Sequence, residues 1–154
     1  MSIYDISDFM ALGGQTVPED VDHEITSEEL LKFFNRVDDE LMETWEAISY
    51  INESWGIHEN ESWGIHEPIY DMPPRDIPET IDGFLDIAYT ALSAAIRLVG
   101  AEKAARCWDE VLTTNLAKVD GTYGPVIRNV ETGKIEKPEG WEAPRIAEIL
   151  GVTE

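Results

Sequence analysis

The sequence predicts an all-α fold. Two long stretches carry apolar residues at spacings of three and four, and strand-like patterning is confined to one short segment near the C-terminus. The 154 residues suit one domain, residues 1–154, or one protomer of a small oligomer. At 43% hydrophobic residues the chain is too apolar for a disordered acidic tail.

Taken in order, Asp5 to Leu12 reads as a short helix ended by Gly13 and Gly14, and Gln15 to Ile25 as an extended connector carrying Pro18. Thr26 with Glu29 three positions on is a capping-box signature. Leu30, Phe34, Val37, Leu41, Trp45 and Ile48 then fall on one helical face, predicting a long helix over 27–50 with Trp45 in the core. The octapeptide NESWGIHE at 52–59 is repeated without change at 60–67. Two eight-residue copies are too short and too few for a solenoid, so the repeat reads as an insertion in a tolerant loop. The alternative gives Trp55 and Trp63 as stacking faces and His58 and His66 as ligands.

Asp76 before Pro78 marks a second helix start. Ile77, Ile81, Phe84, Leu85, Ala88, Leu92, Ala95 and Val99 form a wide apolar stripe, predicting a helix over 77–99 stopped by Gly100. A third helix is expected from Ala101 to Lys118, with Trp108 in the core. Residues 125–128 and 133–135 read as a short hairpin or extended C-terminal arm, and 145–150 as a last short helix.

Charge narrows the function. Eleven basic residues face 32 acidic ones, a net charge of −21. This disfavours binding to nucleic-acid backbones, since no basic surface is available to displace counterions. It equally disfavours docking on an anionic membrane. No unbroken apolar run approaches the ~18 residues of a spanning helix, and Cys107 is the single cysteine. A cytoplasmic protein with no nucleic-acid or membrane partner is the expectation. The acidity is uneven: residues 1–77 hold 19 acids and 3 bases, against 13 acids and 8 bases in 78–154.

The two long helices place carboxylates beside their apolar stripes. Glu40 and Glu43 share a face of the first; Glu79, Asp82 and Asp86 cluster on the second, with Tyr89 nearby. Packing the stripes together would bring the two rows along one seam. Like charges 4 Å apart repel by about 4 kcal/mol at an effective dielectric of ~20, a cost that hard divalent cations remove. The ordinary reading of such spacing is a solvated helix face. Against it, neither cluster is matched by Lys or Arg one turn on, and both helices do the same thing.

In these motifs the chain resembles the all-α nucleoside triphosphate pyrophosphatases, which include MazG-like enzymes, helical dUTPases and dCTPases, and phosphoribosyl-ATP pyrophosphohydrolase. The E-x-x-E of one helix is similar to Glu40-Leu-Met-Glu43, and the E-x-x-D of the next to Glu79-Thr-Ile-Asp82. Asp82 to Tyr89 resembles the D-x-x-x-D-x-x-Y run of phage and bacterial MazG-like members. Asn115-Leu-Ala-Lys118 resembles N-x-x-K, Gly133 to Pro138 resembles G-K-x-x-K-P, and Phe9 to Gly13 with Val17-Pro18 resembles the N-terminal segment. The likeness covers most of the chain outside 51–75. Two registers of the second motif stay open: Glu79 with Asp82, or Asp82 with Asp86, where Gly83 stands in place of a Glu found in some relatives. The 35 residues between Glu43 and Glu79 fall to 27 without one repeat copy, closer to the family's spacing.

The resemblance implies a MazG-like four-helix-type core completed by a second subunit, as a homodimer or homotetramer. It implies hydrolysis of a nucleoside triphosphate to the monophosphate and pyrophosphate, with Mg²⁺ (or Mn²⁺) held by Glu40, Glu43, Glu79, Asp82 and Asp86. Glu43, with Glu40, would act on the attacking water. Asn115, Lys118, Lys134, Lys137 and Tyr89 would contact the substrate, whereas Arg128 reads as a solvated loop residue. Two rival readings are a non-catalytic acidic protein that mimics nucleic acid and an inactive nucleotide-sensing relative.

Overall fold

The computed structural model describes residues 2–48 and 75–152. It is mostly helical, with α1 at Ile3–Leu12, α2 at Ser27–Ile48, α3 at Ile77–Leu116 and α4 at Ile146–Leu150. The tandem octapeptide, with Trp55, Trp63, His58 and His66, lies outside the described residues. These residues fall into two compact units: Ile25–Ala94, and Met1–Glu24 with Ala95–Glu154.

Local chemistry sets the helix starts. Ser2 caps α1 through a capping box: its Oγ accepts from the Asp5 N–H and its own N–H donates to Asp5 Oδ2. This starts the helix two residues before the expected Asp5. Thr26 and Glu29 form the expected box at α2, each backbone N–H donating to the other's side chain at 3.2 Å. Asp76 Oδ1 accepts from the Glu79 N–H at 3.1 Å at the start of α3. The break expected at Gly100 is present: φ 77° and ψ 163° interrupt α3, and both sides are helical.

In the Ile25–Ala94 unit, α2 and the first part of α3 form an antiparallel pair. The Asp76 N–H donates to the Ala47 carbonyl at 3.0 Å, so α3 begins beside the end of α2. The two helices meet closely where Gly83 faces Thr44. A Cβ on Gly83 would overlap Thr44 Oγ1 and lie 3.0 Å from Thr44 Cβ. Around this contact the buried residues are small: Thr44, Ala47, Thr80 and Thr90. The Thr44 and Thr80 hydroxyls donate to the carbonyls of Glu40 and Asp76, one turn back on their own helices, each at 2.6 Å. Their polar groups are thus satisfied without a cross-helix partner.

This packing corrects the expected core. The apolar stripes are not buried against each other: Phe34 is 66% exposed, Leu41 53%, Phe84 54% and Leu85 63%. Trp45, expected in the core, is 45% exposed. Close approach through glycine and threonine turns the bulky residues to the flanks, where they line two apolar grooves. One contains Leu41, Met42, Trp45 and Phe84; the other contains Leu30, Leu31, Phe34 and Val37.

In the second unit the buried apolar residues are Ile3, Ile6, Met10, Ile96, Val99 and Ala104. The connector after α1 lies on the Gly100 break. A Cβ there would overlap the Pro18 carbonyl oxygen and stand 3.2 Å from the Glu19 carbonyl carbon. The Asp22 N–H donates to Leu98 O at 2.8 Å, Arg97 pairs with Asp22 at 2.5 Å, and Lys103 pairs with Asp20. Trp108, also expected in the core, is 43% exposed. It stands one turn beyond buried Ala104 on the same helix face, where burial falls off. The expected hairpin is reduced to one antiparallel bridge, Arg128 with Ile135, and Arg128 Nη1 donates to Gly133 O at 3.4 Å.

By length and composition α3 is apolar enough to cross a membrane. One 18-residue window has a mean hydropathy of 1.4 with no more than two charges, and 28% of it is buried. The apolarity is spread along the helix and is not gathered in one unbroken run.

Gly83→Ala tests the close contact. In a bare helix the change would favour folding by ~1 kcal/mol. Overlap with Thr44 outweighs this, and urea denaturation should show a net loss of about 1–3 kcal/mol. Adding Thr44→Ala should recover part of it.

Candidate functional site

The expected metal ligands lie in the Ile25–Ala94 unit. Glu40 and Glu43 stand one turn apart on α2; Glu79, Asp82 and Asp86 follow on α3. The Thr44–Gly83 contact brings the rows near each other, because Glu40 precedes Thr44 by one turn and Asp82 and Asp86 flank Gly83. The consequence is electrostatic. Partly buried Glu40 has its carboxyl pushed above the ordinary glutamate range, first by desolvation and then by the negative charges of Asp86, Glu43, Asp39 and Asp82. Among the described residues, the charges acting on Glu40 are all negative.

Glu79 is not among the groups acting on Glu40. It sits in the first turn of α3, where its backbone N–H is bound to Asp76. Among the described residues, no group of three or more His, Cys, Asp or Glu is gathered closely enough to hold a metal ion. The carboxylates are near enough to repel but are not drawn together. Tyr89 is half-buried one turn beyond Asp86.

Apart from Tyr89, the expected substrate contacts lie in the other unit, in the last turn of α3 and beyond it. Lys118 Nζ donates to Asn115 Oδ1 at 2.7 Å. The same ammonium lies 4.7 Å from the centroid of the Trp141 ring, and Lys137 Nζ lies 4.6 Å from it. Trp141 Nε1–H donates to Thr114 O at 2.8 Å, which ties the ring to the last turn of α3. Asn115, Lys118 and Lys137 are therefore brought together. Lys134 is not part of this group; it lies on the hairpin, where its carbonyl accepts from the Asn129 N–H.

Two positions gained importance from the structure. Gly83, read in the sequence as standing in place of a carboxylate, is the point of closest helix approach. Its signal was a lone glycine inside a strong helical pattern, which commonly has a packing reason. Trp141 had no signal beyond its place after the lysine motif. No protein-family model matches the chain, and no curated protein matches it.

The raised Glu40 pKa has a stability consequence. A carboxyl that binds its proton more tightly when folded costs stability as pH rises from the ordinary glutamate value through the raised one. At neutral pH, without divalent cations, Glu40→Gln should therefore melt higher than wild type. The difference should shrink towards pH 4, as thermal melts across pH 4–8 would show.

Proposed function

We propose that the chain is a Mg²⁺-dependent nucleoside triphosphate pyrophosphohydrolase of the MazG-like kind, converting a nucleoside triphosphate to the monophosphate and pyrophosphate. The observation that carries this reading is the set of carboxylates from two helices acting on Glu40 with no resolved positive charge among them. Such a set is unfavourable by itself and suits a hard, oxygen-seeking cation. Glu40, Glu43, Asp82 and Asp86 would hold Mg²⁺ once the cation's charge draws them together, with Glu79 as a further ligand in the alternative register. When bound, Mg²⁺ supplies charge neutralisation for the triphosphate and a lower pKa for the attacking water. Glu43 orients that water and takes its proton. The resemblance assigns Asn115, Lys118, Lys134 and Lys137 to phosphate and sugar, through charge-assisted hydrogen bonds, and Tyr89 to the nucleotide.

The same reading includes a second copy of the chain. Phe34, Leu41, Phe84 and Leu85 are each more than half exposed. Exposed apolar patches such as these two grooves commonly mark a protein interface, and four helices from two copies would bury them.

The decisive measurement is pyrophosphate release from a panel of nucleoside triphosphates, with Mg²⁺ and with EDTA. Turnover should require Mg²⁺ and fall at least about a hundredfold in Glu43→Gln and in Asp86→Asn, as expected for loss of a general base or a metal ligand. Absence of Mg²⁺-dependent turnover on every nucleotide would refute the hydrolase. Light scattering after size exclusion should give a multiple of the 17.3 kDa chain mass. Phe34→Glu with Leu41→Glu should give the monomer.

A further inference from the structure

We propose that Trp141 is a positioning residue that holds Lys118 and Lys137 as a two-pronged site for a di- or triphosphate. The choice of ligand rests on the nucleotide reading above; the geometry does not. Both ammonium groups lie within 4.7 Å of one ring centroid, so the ring fixes where each stands. The electron-rich indole attracts each of them, since indole is the strongest aromatic acceptor for a cation. The ring itself is anchored by Nε1–H to Thr114 O at 2.8 Å, and Lys118 by Asn115 Oδ1 at 2.7 Å. Each ammonium carries three donors. For Lys118, one meets Asn115, and the remaining ones are available to an anion. Two cations held in a fixed relation, in a chain of net charge −21, are matched by a ligand with several anionic oxygens.

Pyrophosphate is the probe, titrated calorimetrically into the full-length chain in EDTA, so that the measurement does not depend on metal or turnover. Saturable binding is expected. Lys118→Met, Lys137→Met and Trp141→Leu should each weaken it by about tenfold, the scale of one charge-assisted or cation–π contact. Lys137→Arg should keep affinity within about threefold, because a guanidinium also stacks on indole. The Lys118 and Lys137 Hε resonances should be shifted upfield by the ring in wild type, lose that shift in Trp141→Leu, and move on adding pyrophosphate. If Trp141→Leu does not fold by circular dichroism, Trp141→Phe decides: it loses the N–H anchor and should bind more weakly.

Absence of saturable binding, or wild-type affinity in a folded Trp141 variant, would overturn the proposal. Glu43→Gln should abolish turnover yet bind pyrophosphate in EDTA as wild type does. Pyrophosphate binding in a chain that hydrolyses no nucleotide supports the anion site while removing the hydrolase.

Discussion

The contact between Gly83 and Thr44 is the constraint from which the Ile25–Ala94 unit follows. A side chain at position 83 would push the helices apart, and its absence lets them approach through small residues. Threonine suits this contact because its hydroxyl bonds to its own helix, leaving little polar demand at the interface. Two results come from one cause. The bulky apolar residues are displaced to the flanks, and the carboxylates next to the contact are drawn into each other's fields.

Those carboxylates give meaning to part of the net charge of −21. Acids on a solvated surface repel weakly, because water and salt screen them. Glu40 differs, being partly desolvated and surrounded by Asp86, Glu43, Asp39 and Asp82. The fold concentrates negative charge there at a cost to its own stability, an arrangement typical of functional sites. Most of the remaining acids need no such account.

The unit formed by Met1–Glu24 and Ala95–Glu154 is organised differently. A second glycine, Gly100, breaks α3 with a positive φ and leaves room for the Pro18–Glu19 backbone. Ion pairs from Asp20 and Asp22 to Lys103 and Arg97 hold that connector in place. In this unit Arg97, Lys103 and Arg145 are tied to carboxylates, and Lys118 and Lys137 share Trp141. Basic residues are scarce in this sequence, so each such placement consumes a large part of the supply.

Helix positions were legible in the sequence because their causes are local. Thr26 with Glu29, Asp76 before Pro78, and Gly100 act within one helical turn, and periodicity reports the rest. The carboxylate rows were legible for the same reason, since spacing along one helix determines which residues share a face. Which face meets which was a different matter. Helical periodicity marks Phe34, Leu41, Phe84 and Leu85 as needing burial, but it cannot say whether another part of the same chain provides it. The tertiary structure assigns the α2–α3 contact to Gly83, Thr44, Ala47 and Thr80 instead, because backbone approach favours small residues over large ones when the two compete for a single interface. The junction of Lys118, Lys137 and Trp141 was likewise decided only in three dimensions. Its members come from the end of α3 and from the C-terminal arm, and the Nε1–H bond to Thr114 that joins them spans 27 positions of sequence, beyond the reach of any local pattern.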